Sequence, residues 1–238
     1  MTYDAIGNML TRGGTTYTWT QGRRLSGVEN GKSIKYLYDH TGARVKKTVD
    51  NTVTEYQWAG DLLLSEKTDG RIIWYCYDSQ ANLISVTIRG ITYFYVRNVQ
   101  GDIIALVDAD GKVVVKYTYD SWGKVVAVTG ELADTVGAQN PFRYKGYYYD
   151  NETGMYYLKS RYYDAEIKRF ICMDKYFMTN RGMNKSNMLV YCENNPINRV
   201  DMFGTCWYDA KEIGDMITGN TKGIINDSLN LQENRILI

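Results

Sequence analysis

Short runs of alternating apolar and polar residues fill the chain up to about residue 130, and turn-forming residues separate them. Most runs begin with two aromatic residues at positions i and i+2, as in "KYLYDHTGARV" and "KYTYDSWGKVV". Residues at i and i+2 lie on the same face of a β-strand, and Asp followed by Gly favours a tight turn. Each run of this type therefore predicts one β-hairpin.

The aromatic pairs recur at a nearly constant spacing of 16 to 24 residues, which identifies an internal repeat. The second aromatic of each pair falls at seven positions: Tyr3, Trp19, Tyr38, Trp58, Tyr77, Tyr95 and Tyr119. One hairpin cannot bury its apolar face alone, so we expect successive hairpins to form one coiled sheet. Equivalent rings should then stack on one face of that sheet. An ordinary antiparallel domain with chance tyrosines would not keep seven units in register.

The composition favours an all-β chain. The 238 residues include 22 Tyr and 22 Gly but only 2 Pro, which suits many short strands joined by tight turns.

Lys and Arg total 28 against 27 Asp and Glu, and this balance argues against general nucleic-acid binding. No apolar run approaches the roughly 20 residues of a membrane-spanning helix. The segment after Met1 has no signal-peptide pattern.

The four cysteines form no CxxC pair, and His40 is the only histidine. We therefore expect neither a structural zinc site nor a bound cofactor. The thiols should be free and partly buried. The cysteines are Cys76, Cys172, Cys192 and Cys206.

A different set of motifs follows the repeats. The segments "KGYYYDNETGMYYLKSRYYDAEIKRFICMD" and "NMLVYCENNPINRVDMFG" occur in this order within residues 141–204. Together with the aromatic repeats, they make residues 1–204 resemble the YD-repeat proteins of the Rhs family. That family includes bacterial Rhs polymorphic toxins, the C component of Tc toxins and wall-associated proteins. The order and most spacings of the motifs are similar to those of the core module that ends the repeat region.

The resemblance implies three regions. Residues 1–140 would form the sheet of β-hairpin (YD) repeats, as part of a hollow shell. Residues 141–204 would form a core module that plugs the shell, and residues 205–238 would be a stub of the variable toxin region. Because the chain begins in the middle of a repeat, we expect it to belong to a longer secreted or cell-surface protein.

The partners that the resemblance implies are the rest of the same shell and an enclosed C-terminal toxin. An immunity protein and a secretion apparatus are further partners of such proteins. We expect no nucleic-acid partner and no membrane span. The sequence does not identify the toxin.

In the resembled family, the core module often acts as an intramolecular aspartyl protease. Two carboxylates share one proton, so that one activates water and the other protonates the leaving group. The matching motifs assign these two roles to Asp174 and Asp201. They also assign Arg161 to hold a carboxylate by a bidentate contact, and they locate the cut just after Gly204.

Several residues around this pair differ from the family pattern. The segment between the two acids is also a few residues longer than the pattern. The pattern has Gly, Ser, Pro and Pro where this chain has Lys168, Cys172, Lys175 and Met202. Three functions therefore stay open: a self-cleaving shell segment, a folded copy without activity, and a non-enzymatic surface or wall-associated module that binds through its aromatic sheet.

Two further expectations concern structure. Asp164 in "YYDAE" should cap a turn, since an Asp side chain readily binds nearby backbone N–H groups. The tail should pack loosely, with a helix-like pattern over residues 210–228.

Overall fold

The computed structural model describes residues 1–178, 187–205, 208–209 and 235–237. Its main feature is a sheet of 14 antiparallel strands, hydrogen-bonded in the order in which they occur along the chain. The strands are β1 (Thr2–Tyr3), β2 (Met9–Arg12), β3 (Thr15–Thr20), β4 (Arg24–Glu29), β5 (Ser33–Tyr38), β6 (Arg44–Val49), β7 (Thr52–Ala59), β8 (Leu62–Thr68), β9 (Arg71–Tyr77), β10 (Leu83–Ile88), β11 (Ile91–Arg97), β12 (Ile103–Val107), β13 (Val113–Tyr119) and β14 (Val125–Thr129). The predicted all-β architecture of tandem hairpins is confirmed.

Several of the hairpin turns share one side-chain hydrogen bond. In the third hairpin, Asp39 Oδ1 accepts the backbone N–H of Ala43 at 3.0 Å. Gly42, with a φ of 96°, adopts the left-handed conformation that this turn requires. The same i to i+4 bond forms at five more turns, which begin at Asp4, Asp78, Asn98, Asp108 and Asp120. These short-range bonds explain why the turns could be predicted from the sequence.

The second aromatic of each unit lies on the inner face of the sheet. All seven predicted rings pack against one hydrophobic core, so the prediction that they share a face is confirmed. Most of them also donate a hydrogen bond to a backbone carbonyl of the preceding hairpin. These bonds are Trp19 to Met9 (2.7 Å), Tyr38 to Leu25 (2.7 Å), Trp58 to Arg44 (2.8 Å), Tyr77 to Leu63 (2.9 Å) and Tyr119 to Ile103 (2.7 Å).

The sixth unit differs from its predicted alignment. A register shift accompanies the second aromatic of the other hairpins, and in this one it falls between Val96 and Arg97. Arg97 Nη2 donates to the Leu83 carbonyl at 2.9 Å, as the rings do elsewhere. Arg97 therefore replaces the second aromatic, and Tyr95 is the first. The predicted alignment of the repeats by their aromatic residues was wrong in this unit, because the Arg97 guanidinium donates the hydrogen bond that an aromatic side chain donates in the other units.

A second antiparallel sheet of four strands packs on the inner face of the large sheet. Its strands are β15 (Tyr148–Asp150), β16 (Met155–Leu158), β17 (Arg161–Asp164) and β18 (Arg169–Phe170). Ring contacts join the two sheets: Tyr162 to Tyr36 at 5.4 Å, and Tyr148 to Tyr56 at 5.7 Å between centroids. The two sheets therefore share one core.

Short elements complete the described part of the chain. A π-helical turn spans Ala133–Gly137, and 3-10 turns span Tyr144–Gly146 and Cys192–Asn194. Two small sheets pair β19 (Tyr176–Met178) with β22 (Arg235–Leu237), and β20 (Arg199–Val200) with β21 (Tyr208–Asp209).

The expected helix over residues 210–228 lies outside the described residues. Of the tail that we expected to pack loosely, the structure describes only residues 205, 208–209 and 235–237. Residues 208–209 pair with β20, and residues 235–237 pair with β19. Within the described part of the chain, no helix has both the length and the apolar character needed to cross a membrane.

Candidate functional site

The stretch "RYYDAEIKRFICMD" runs through β17, a turn and β18. Asp164 Oδ1 accepts the backbone N–H of Glu166 at 2.9 Å, so the predicted turn cap is confirmed. Asp164 also pairs with Arg12 of the first hairpin. Burial raises the pKa of Asp164, and the Arg12 guanidinium opposes that shift. Asp164 therefore holds the turn and ties it to the large sheet.

Strand alternation separates the side chains of β17 onto two faces. Tyr162 belongs to the core shared with the large sheet. Tyr163 belongs to a second cluster, where its ring stacks on Tyr191 at 4.0 Å between centroids. The Arg161 guanidinium lies 3.5 Å from the centroid of the Phe170 ring, which is part of that second cluster. Arg161 and Tyr163 therefore share a face, as the alternation predicts.

The structure brings the three predicted site residues together. Arg161 Nη2 lies 3.1 Å from Asp174 Oδ2 and 3.2 Å from Asp201 Oδ2. Because one nitrogen contacts both oxygens, these oxygens are at most about 6 Å apart, within the range where two carboxyl groups influence each other. Arg161, Asp174 and Asp201 are only 6%, 8% and 2% exposed.

The peptide bond between Gly204 and Thr205 lies directly at this cluster. The Thr205 N–H donates to Asp201 Oδ1 at 3.0 Å. The Gly204 carbonyl accepts hydrogen bonds from Arg161 Nε and from Ser160 Oγ, the latter at 2.6 Å. Both ends of this one peptide bond are therefore held by polar side chains.

Gly204 adopts a conformation that favours glycine, with a φ of +69°. A Cβ at this position would lie 2.8 Å from the Leu158 carbonyl oxygen and 2.8 Å from Ser160 Oγ. Contacts this short do not occur for real Cβ atoms, so any larger residue would move the peptide bond. The glycine thus allows the main chain to approach β16 and β17 closely.

Residues that the sequence did not indicate support the acids. Tyr147 Oη accepts the backbone N–H of Asp201 at 3.1 Å. The Met188 carbonyl accepts two hydrogen bonds, one from Arg161 Nη1 at 3.0 Å and one from the backbone N–H of Asp174 at 3.2 Å. No sequence pattern indicated Ser160, Tyr147 or Met188.

A cavity of about 710 Å³ adjoins Asp174 and Arg161. Its walls come from the turns of the second, third and fourth hairpins and from the site itself, including Ser160, Asp174 and Thr205. The cavity is large enough to admit water molecules to the cluster.

The described cysteines are free thiols, as expected, whereas Cys206 lies outside the described residues. Cys76 is exposed, and Cys172 and Cys192 are buried. Burial raises the pKa of Cys172 to about 12, which disfavours its reactive thiolate. No group of three or more potential metal ligands occurs among the residues that the structure describes.

Comparison with known proteins gives consistent matches. The family described as the teneurin YD-shell matches residues 1–197. The tRNA3(Ser)-specific nuclease WapA of Bacillus spizizenii is 37% identical over 212 residues, which are 86% of this chain and 9% of that protein. The tRNA nuclease WapA of Bacillus subtilis strain 168 is 38% identical with the same coverage. The chain thus spans about a tenth of the length of these relatives.

Solved structures also match the fold. The crystal structure of TcdB2-TccC3-Cdc42 superimposes with a TM-score of 0.70 over 85% of this chain and 11% of that chain. The sequence identity in this superposition is 19%, so the likeness concerns the fold alone.

Proposed function

We propose that this chain, which belongs to the teneurin YD-shell family, is a segment of a toxin-delivery shell whose core module cuts its own backbone just after Gly204. The chain is a YD-shell region with relatives named as nucleases. One observation carries the proposed cleavage: the Gly204–Thr205 peptide bond is hydrogen-bonded to Arg161 at its oxygen and to Asp201 at its nitrogen.

In this proposal, Asp174 is the general base. It takes a proton from a water molecule, and the water oxygen forms a bond to the carbonyl carbon of Gly204. The electron pair of the C=O double bond moves to the oxygen, where Arg161 stabilises the negative charge.

Asp201 is then the general acid: it holds the one proton that the two acids share, and its Oδ1 lies 3.0 Å from the nitrogen that leaves. The C–N bond breaks as Asp201 protonates the Thr205 nitrogen. The products are a carboxyl group at Gly204 and an amino group at Thr205. The new carboxyl group then returns a proton to Asp201, and Asp174 gives the proton that it took from water to the amino group, which restores both acids. Arg161, bound to both acids, keeps them in position throughout.

The proposed cut gives the three regions separate roles. Residues 1–140 form shell wall, residues 141–204 form the self-cleaving module, and residues 205–238 begin the toxin region. The partners are then the rest of the shell and an enclosed toxin, with an immunity protein and a secretion apparatus acting on the whole assembly. Such an assembly works outside the producing cell, and the relationship to WapA nucleases supports a toxin cargo.

Denaturing gel electrophoresis of the purified chain tests the proposal. The wild-type chain should separate into two fragments, and Asp174→Asn and Asp201→Asn should each leave it intact. Asp164→Asn is the matched control, because Asp164 is a buried, ion-paired acid of the same module that does not contact the cluster. Cleavage that survives both dyad substitutions would refute the proposal.

A second candidate is a non-enzymatic surface or wall-associated module that binds through its aromatic sheet. Trp74 and Phe94 favour it, because they are 50% and 41% exposed on strands β9 and β11. Exposed aromatic rings suit contacts with glycans or partner proteins. Under this candidate the wild-type chain stays intact on the gel, and Trp74→Ala weakens binding to cell-wall polysaccharide.

A further inference from the structure

We propose that Ser160 takes part in the cleavage, with its hydroxyl stabilising the negative charge that develops on the Gly204 carbonyl oxygen. This inference rests on the proposed function, and it adds a catalytic residue that the resemblance did not assign. Ser160 contacts the reacting group itself, since its Oγ lies 2.6 Å from the Gly204 oxygen.

The hydroxyl has two acceptors within reach but only one hydrogen to donate. Ser160 Oγ is 2.6 Å from the Phe203 oxygen and 2.6 Å from the Gly204 oxygen. The Phe203 oxygen already receives the backbone N–H of Ser160 at 3.3 Å. As negative charge develops on the Gly204 oxygen, this oxygen becomes the stronger acceptor of the two, so the hydroxyl hydrogen turns to the carbonyl that would be attacked.

The turn that holds Ser160 is anchored on both sides. Ser160 N–H also approaches the Leu158 oxygen at 2.7 Å, which closes the tight connection between β16 and β17. The neighbouring Lys159 binds Asp61 of the fourth hairpin at 2.8 Å and lies 4.6 Å from the centroid of the Phe203 ring. Lys159 thus links the turn to the large sheet and to the residue that precedes Gly204.

Two donors from consecutive residues converge on one oxygen. Arg161 Nε approaches the Gly204 oxygen together with Ser160 Oγ. Donors that are already oriented toward a carbonyl oxygen stabilise the tetrahedral intermediate without reorganisation. When water adds to the carbonyl carbon, the electron pair released to the oxygen would be shared by these two hydrogen bonds. When the C–N bond breaks, the C=O double bond forms again, and the Ser160 proton stays on Ser160 throughout.

The rate of self-cleavage gives the first test. Ser160→Ala removes the hydroxyl and should slow cleavage on the order of 10²-fold, as loss of one oxyanion donor does in other enzymes. Ser160→Thr keeps a hydroxyl and should restore most of the rate. Ser26→Ala, in β4 of the large sheet, is the matched control and should cleave at the wild-type rate.

A spectroscopic readout separates the hydrogen bond from a structural effect. In the uncleaved Asp174→Asn chain, labelling with [1-¹³C]Gly and [¹⁵N]Thr selects two Gly-Thr peptide bonds, at Gly14 and Gly204. Ser160→Ala should move the Gly204 carbonyl resonance upfield, because the carbonyl loses a donor. The Gly14 resonance, from the turn between β2 and β3, should not move.

The outcomes are distinguishable. Unchanged cleavage in Ser160→Ala would overturn the inference while the proposed function stands. Slower cleavage with an unmoved Gly204 resonance would also overturn it, because the loss would then be structural. An intact wild-type chain would refute the proposed function, and with it the catalytic role of Ser160, even if the Gly204 resonance moved.

Discussion

Arg44 of β6 and Asp150 of β15 form an ion pair at 2.5 Å, although their side chains are only 1% and 0% exposed. The pair joins the large sheet to the second sheet. Five tyrosine rings surround the Arg44 guanidinium, with its central carbon 4.5 to 6.0 Å from the ring centroids. Lys47 makes a second ion pair with Asp150 at 3.0 Å.

Asp150→Asn should therefore destabilise the fold strongly. The substitution leaves the buried Arg44 without an anion and leaves Lys47 with Glu152 alone. Breaking a buried pair in this way typically costs about 3–5 kcal/mol. The free energy of unfolding, measured by urea denaturation, checks this value. Glu152→Gln is the control, because Glu152 pairs with Lys47 at 2.9 Å but is 24% exposed, and it should lose less than about 1 kcal/mol. Equal losses for the two variants would contradict the account.

The same ion pair predicts a pH dependence. Burial alone would raise the pKa of Asp150, but Arg44 and Lys47 outweigh it and hold the pKa below its ordinary value. The stabilisation is therefore fully present above the unfolded pKa, near about 4, and is lost as the pH falls through the folded value. The difference in unfolding free energy between the wild type and Asp150→Asn should shrink below about pH 4. A difference that grows on acidification would show that the sign is wrong.

Two glycines with the same φ angle separate the effect of backbone strain from the effect of crowding. Gly204 and Gly146 both have a φ of +69°, but a Cβ at Gly146 would meet nothing within 4 Å. Gly146→Ala should cost about 1–2 kcal/mol of unfolding free energy from the left-handed backbone alone, and it should still cleave. Gly204→Ala should cost more and also abolish cleavage, because the Leu158 oxygen forces the peptide bond to move. Thermal denaturation and a gel give both values, and cleavage at the normal rate in Gly204→Ala would contradict the assigned geometry.

Arg97→Tyr should stabilise the sixth hairpin. Burial lowers the pKa of Arg97, which reflects the cost of desolvating its charge, and its buried Nε has no hydrogen-bond partner. A tyrosine can donate to the Leu83 oxygen, as Tyr77 does to Leu63 in the preceding hairpin. We expect a gain on the order of 1 kcal/mol in unfolding free energy.

A matched substitution calibrates that gain. Tyr77→Phe removes only the hydroxyl and should lose about 0.5–1.5 kcal/mol. If Arg97→Tyr raises the free energy of unfolding while Tyr77→Phe leaves it unchanged, the gain comes from the lost charge and not from the hydrogen bond to the carbonyl.

The hairpins could be predicted because their determinants are local. Asp39 and Gly42 fix a turn through bonds within a few residues, and the aromatic pairs mark the inner face. The misalignment at Arg97 arose because the position requires a hydrogen-bond donor, which an arginine also provides. The Arg44–Asp150 pair could not be predicted, since its partners are separated by 106 residues and their contact depends on how the second sheet packs.

The candidate site was predictable only in part. The resemblance named Arg161, Asp174 and Asp201, and the structure places them in contact. Ser160 and Tyr147 were missed because their contacts form only when the chain returns at residues 201–204. A serine before an arginine, or one tyrosine among 22, has no sequence pattern that indicates such a contact.

The most direct test of self-cleavage is mass spectrometry of the chain produced and incubated in H₂¹⁸O. The account predicts a fragment that ends at Gly204 and contains one ¹⁸O atom in its new carboxylate, together with a fragment that begins at Thr205. The Asp174→Asn chain should give a single intact mass. A wild-type chain that stays whole, or that is cut at a bond away from Gly204 and Thr205, would contradict the account.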